Sequence, residues 1–176
     1  MKIKIISNYL KKKYIANAIT LIRLILVIPI IFFLQYRNLK TVWILILIGA
    51  LTDYFDGYFA NKLNYKSKLG AIIDPLADKV FINIPLVWLC INGMVPFWSL
   101  SLIIFREFLI SAFRGTKKNG MPAKRIGKYK TFFFFISIIT LFFPFNFEFT
   151  FYFGLTFYWI GFLLSMVSIP IYLFSK

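Results

Sequence analysis

The carboxylates of this 176-residue chain are few and unevenly placed. Of its 6 acidic residues, Asp53, Asp56, Asp74 and Asp78 lie in the stretch LTDYFDGYFANKLNYKSKLGAIIDPLADKV, which holds only 4 of the chain's 21 Lys and Arg. A charged side chain at bilayer depth costs roughly 2.5–3.5 kcal/mol on insertion scales. Several carboxylates in apolar surroundings therefore need a compensating partner, and a divalent cation is the natural one. The absence of His removes the usual general base and the commonest metal ligand. Oxygen donors without His or Cys favour Mg2+, or Mn2+, over Zn2+.

The spacing groups the four residues. Asp53 and Asp56 are three apart, Asp74 and Asp78 four apart, and either interval puts a pair on one helical face. The pairs flank a short connection at 62–68. Two antiparallel helices joined so briefly lie side by side, so the pairs are expected to meet at one depth, in a cavity open to one side. The competing reading is a set of structural charges inside a helix bundle, with Lys79 and Arg106 as partners. Gly57, Ala60 and Gly70 stand nearby. Small residues there suit close approach of a ligand or ordinary helix–helix packing.

The elements that carry these residues are apolar. Hydrophobic residues make up 60% of the chain and the mean hydropathy is +0.79, whereas soluble domains are about 45–50% apolar. The hydrophobic runs predict an all-α fold, an integral membrane bundle of six transmembrane helices over roughly 17–35, 41–61, 69–91, 97–114, 126–145 and 150–174. Residues 1–14, MKIKIISNYLKKKY, predict a short N-terminal interfacial helix rather than a cleavable signal, since their apolar run is short and broken. Without a linker or repeat, 1–176 reads as a single domain.

The net charge is +15. In a soluble chain this would suggest nucleic acid. Here the basic residues fall between apolar runs, which points to anionic lipid head groups and phosphorylated substrates, with no nucleic-acid partner. The lysines of 1–13, those of 62–68, the basic run from Arg114 to Lys130 and Lys176 all fall on one side, with Arg37 and Lys40 on the other. This asymmetry predicts cytoplasmic termini. Arg23, Lys79 and Arg106 remain within the spans, where buried charge marks candidate function. Cys90, in the run LVWLCI, reads as a core position, and Glu148 as a surface residue of an outer loop.

The pattern Asp53-x-x-Asp56-Gly57-x-x-Ala60, then Gly70-x-x-x-Asp74-x-x-x-Asp78, resembles the signature of the CDP-alcohol phosphatidyltransferases at every element. Asn61 stands where the family has Arg. The next residue, Lys62, is turned about 100° around the helix, so one contact, to a substrate phosphate or to the loop, differs from the pattern. Further likeness lies in Asn17-x-x-Thr20-Leu21-x-Arg23. The segments DPLADK at 74–79, FREFLISAFR at 105–114 and IGKYKT at 126–131 resemble the bacterial phosphatidylglycerophosphate synthase branch. After about residue 132 only the hydrophobic pattern is shared.

The resemblance implies an enzyme that transfers the phosphatidyl group of CDP-diacylglycerol to sn-glycerol 3-phosphate and releases CMP. It also implies a bacterial inner-membrane location and a homodimer. Asp53, Asp56 and Asp74 would hold the metal, Mg2+ or Mn2+, with Asp78 sharing it and serving as general base. Gly57, Ala60 and Gly70 would admit the CDP-lipid. Thr20 and Arg23 would either meet its diphosphate or stabilise a helix interface. The acceptor's phosphate would meet Arg106, Arg114, Lys128 and Lys130. For Arg106 the alternative is a structural ion pair with Glu107. Lys117 and Lys118 read as solvated loop charge. The rival functions are the same chemistry on inositol phosphate, serine or phosphatidylglycerol, a divalent-cation carrier, and a catalytically inactive lipid-binding relative. A carrier predicts acidic residues spread through the membrane depth, unlike the clustering seen here.

Overall fold

Among the described residues six helices follow one another, with no strand. The computed structural model describes the backbone of residues 21–63, 68–116, 125–144 and 148–173, and the side chains of 21–52, 76–112, 126–144 and 148–172. The helices are α1 Leu21–Gln35, α2 Leu39–Leu63, α3 Lys68–Ile91, α4 Phe97–Thr116, α5 Arg125–Leu141 and α6 Glu148–Leu173. Each coincides with a hydrophobic run in the sequence. The expected interfacial helix at 1–14, and the start of the first run at 17, lie outside the described residues.

Local chemistry sets the ends. After α1 the chain reverses through a left-handed residue, Arg37 at φ 53°. Asn38 N–H donates to the Phe33 carbonyl at 3.0 Å and Arg37 N–H to that of Leu34 at 3.1 Å, the paired bonds of a Schellman cap. Asn38 then caps α2, its side-chain oxygen accepting from Thr41 N–H at 3.3 Å. The end of α3 repeats the device with Gly93 at φ 72°. There Met94 N–H reaches the Leu89 carbonyl at 2.9 Å. The hydrophobic run predicted a fifth helix to 145, yet α5 stops at Leu141. Pro144 accounts for this, because a proline disfavours helical backbone at the residue before it.

The chain divides into two compact units, Met1–Ile84 and Pro85–Lys176, and α3 continues across the division. In the first unit Val27, Ile30 and Leu34 of α1, Val42 and Ile46 of α2, and Ala77 and Phe81 of α3 are buried. The Phe81 ring occupies the place a Cβ on Gly49 would take, so α2 and α3 pack closely there. In the second unit α6 packs on both α5 and α4. A Cβ on Gly161 would come 2.9 Å from the Phe134 ring, a close approach that small residues make possible.

The outward faces are apolar too. Ile25, Ile28 and Phe32 of α1, Phe105 and Phe108 of α4, and Leu163 and Val167 of α6 are exposed. Among the described residues, one helix segment, Glu148–Tyr172 with mean hydropathy 1.6, is long and apolar enough to cross a bilayer, beside shorter apolar stretches at Leu21–Gln35 and Leu39–Thr52. The expected six spans thus meet a fold of six helices of which one passes that test. The described side chains stop at Thr52 in α2 and start at Leu76 in α3, so neither helix is judged over its full length. Arg106 and Glu107 interrupt α4, and the 17 residues of α5 rise only about 25 Å against a hydrocarbon core of about 30 Å.

Candidate functional site

In the first unit the aspartates ride on two helices, Asp53 and Asp56 on α2, Asp74 and Asp78 on α3. The helical geometry that their spacing required is present. The side chains of Asp53, Asp56 and Asp74, and the surroundings of Gly57, Ala60, Gly70, Asn61 and Lys62, lie outside the described residues, as does Thr20. Asp78 is described. Its carboxylate accepts from Nη1 of Arg23, an ion pair joining α3 to α1. The two partners differ in exposure: the Arg23 side chain is 2% exposed and that of Asp78 47%. Arg23 thus links α1 to α3. A guanidinium buried this deeply needs ionic or hydrogen-bonded partners, and Asp78 supplies one while presenting much of its own surface outward.

The second unit holds another buried charge cluster. Arg106 of α4 is 3% exposed and Lys130 of α5 7%. Between them stands Glu107, whose Oε1 accepts from Arg106 Nη1 at 3.1 Å and is also ion-paired with Lys130. Arg106 turns its other edge to α6. Its Nε donates to Ser168 Oγ at 3.0 Å and its Nη2 to the same oxygen at 2.5 Å. Two cations share one anion, so the three side chains carry a net positive charge. Lys128 is exposed on α5. Arg114 lies on α4 with its side chain outside the described residues, and Lys117 and Lys118 fall outside them altogether. Of the four expected acceptor-site cations, Arg106 and Lys130 are therefore brought together. Glu148 opens α6 and is exposed, as expected, where its charge complements the positive end of the helix dipole.

The sequence model of the CDP-alcohol phosphatidyltransferases matches residues 13–168. The chain belongs to the CDP-alcohol phosphatidyltransferase family. It is 36% identical over 138 residues to a Rickettsia typhi protein named CDP-diacylglycerol–glycerol-3-phosphate 3-phosphatidyltransferase, a match covering 73% of this chain and 77% of the relative. A Wigglesworthia glossinidia brevipalpis protein of the same name is 40% identical over 129 residues, 66% of this chain and 70% of its own. One from Bacillus subtilis is 39% identical over 92 residues, 50% and 47% of the two chains.

As a CDP-alcohol phosphatidyltransferase the protein is a membrane-associated transferase, of a family that works with divalent cations. The donors at 53, 56, 74 and 78 fit such an ion in chemistry, all being carboxylate oxygens in a chain without His. Among the described residues no three metal-binding side chains cluster, and three of these four side chains lie outside that set. Sequence reasoning missed Ser168 and the bridging of Glu107 to Lys130. A serine in an apolar helix has no local signature. The one available hint was its recurrence three residues after Ser165, which puts two hydroxyls on one face of α6.

Proposed function

We propose that this chain is a multi-pass membrane enzyme that transfers the phosphatidyl group of CDP-diacylglycerol to sn-glycerol 3-phosphate, giving phosphatidylglycerophosphate and CMP. The observation that carries the reading is the complete aspartate signature at helical spacing on α2 and α3, within a family match over 13–168. The acceptor choice is supported by the printed names of the relatives and by the two buried cations that meet over Glu107.

Asp53, Asp56, Asp74 and Asp78 would hold Mg2+, with Mn2+ able to replace it. When bound, the ion neutralises charge on the diphosphate and on the departing CMP. Asp78 accepts the proton of the acceptor hydroxyl. The hydroxyl oxygen forms a bond to the phosphatidyl phosphorus, and the phosphorus–oxygen bond to CMP breaks with its electron pair leaving on CMP. The Asp78 carboxylate is half-exposed beside Arg23 and remains accessible. Thr20, Arg23, Gly57, Ala60 and Gly70 are assigned to the CDP-lipid, and Arg106, Arg114, Lys128 and Lys130 to the acceptor's phosphate.

Six spans with both termini cytoplasmic, in a bacterial inner membrane, are supported by the charge asymmetry of the connections and by the apolar outward faces. A single domain over 1–176 and a homodimer complete the proposal. The deciding experiment is a detergent-micelle assay with CDP-diacylglycerol, Mg2+ and a panel of acceptors, following CMP. Turnover with glycerol 3-phosphate is expected. Turnover with inositol phosphate, serine or phosphatidylglycerol in its place would overturn the acceptor, and no CMP from any acceptor would overturn the enzyme.

A further inference from the structure

Arg106 is held from its own helix by Glu107 and from α6 by Ser168 and Tyr172. Ser168 is fully buried. A serine hydroxyl has one proton to give and two lone pairs. The proton goes to the Ser165 carbonyl at 2.5 Å, and the lone-pair side receives Nε and Nη2 of Arg106. With its proton committed, the hydroxyl can face the guanidinium only as an acceptor. One turn on, Tyr172 lies under the same group, its ring centroid 5.7 Å from Arg106 Cζ, within cation–π range. That ring is itself fixed: Tyr172 is 2% exposed, and its hydroxyl lies 3.1 Å from where a Cβ on Gly127 of α5 would stand.

We propose that Ser168 and Tyr172 are positioning residues of the acceptor-phosphate site, orienting Arg106 without neutralising it. This rests on the reading of Arg106 and Lys130 as acceptor-binding cations. The physical point is the kind of partner each edge of the guanidinium has. A second carboxylate in place of Ser168 would orient Arg106 equally well but would cancel the remaining positive charge of the Arg106–Glu107–Lys130 cluster. A hydroxyl and an aromatic face supply direction alone. Neither Ser168 nor Tyr172 therefore subtracts from the positive charge that Arg106 and Lys130 would offer a phosphate dianion. The family match ends at Ser168 and Tyr172 lies beyond it, so only the folded chain connects them to the motif at 105–114.

The test is steady-state kinetics in mixed micelles, with the KM of each substrate measured separately. Ser168→Ala is expected to raise the KM for glycerol 3-phosphate about tenfold, equivalent to about 1.4 kcal/mol, with that for CDP-diacylglycerol unchanged. Ser168→Thr, which keeps the oxygen, should restore the low value. Tyr172→Leu provides a second route and should also raise the acceptor KM alone. Equal changes in both KM values, or a fall in kcat alone, would mean a merely structural role and overturn the inference. So would unchanged constants in Ser168→Ala and Tyr172→Leu beside a raised acceptor KM in Arg106→Lys, which would leave the acceptor site itself standing. Should Arg106→Lys and Lys130→Gln leave the acceptor KM unmoved, that site falls, and this inference with it.

Discussion

Glu107→Gln tests the buried charge cluster most directly. The substitution keeps shape and one carbonyl acceptor, so what is removed is the negative charge between Arg106 and Lys130. Those two side chains are 3% and 7% exposed, which leaves water little access to replace the lost anion. Breaking a buried ion pair from one side costs about 3–5 kcal/mol. Glu107 itself is 16% exposed and glutamine still accepts a hydrogen bond, so the lower end, about 3 kcal/mol, applies. For a chain of this length that corresponds to a fall in melting temperature of roughly 6–12 °C on the scale of soluble domains.

The assay is thermal unfolding of the detergent-purified protein, with and without glycerol 3-phosphate. Ligand at a hundred times its Kd stabilises by about 2.7 kcal/mol. If its phosphate is held by Arg106 and Lys130, it resupplies the missing anion, so the ligand-induced shift should be larger in the variant than in the parent. A variant that melts with the parent would refute Glu107 as the shared counter-anion. A ligand shift smaller in the variant would refute the placing of phosphate between the two cations.

Asp78→Asn should lower CMP release by at least about a hundredfold, the usual scale of general-base loss, while CDP-diacylglycerol still raises the melting temperature; retained turnover would remove Asp78 from the base role. Arg106→Ala should raise the KM for glycerol 3-phosphate by more than about tenfold with a smaller effect on that for the CDP-lipid, and an equal effect on both would refute acceptor binding. Chelation with EDTA should abolish CMP release, with recovery in Mg2+ and in Mn2+; activity that survives chelation would sever the aspartates from metal binding. Single cysteines placed at Arg37 and at Lys66 in a Cys90→Ala background should label from opposite sides of sealed vesicles, and labelling from the same side would overturn the six-span topology.

The helices were legible because apolar runs bounded by charge and turn residues leave the backbone few alternatives. Asn38, Gly93 and Pro144 mark ends within a few residues of where they occur, although a run of Phe at 142–143 hides the effect of Pro144 on α5. The aspartate motif was legible too, since helical spacing is local information. The contact of Arg106 with Ser168 was not. It joins residues 62 apart, and no pattern within either segment reveals it. Arg23 shows the intermediate case. Its depth in a span marked it as a candidate, but its partner 55 residues away had to come from packing.

Two ion-paired sites accompany the family's motifs among the described residues, and exposure separates their chemistry. Arg23 and Asp78 pair a buried cation with a carboxylate that is 47% exposed; Arg106 and Lys130, both buried, share Glu107, which is 16% exposed. A carboxylate that exchanges protons with a substrate needs an open face, and a fixed guanidinium behind it holds its position. A carboxylate that spaces two cations needs the reverse, since water around it would weaken its hold on both. The same acidic group therefore suits proton transfer in one unit and charge placement in the other. The difference lies in how much surface each neighbourhood leaves open, which is what the two proposed roles ask of each carboxylate.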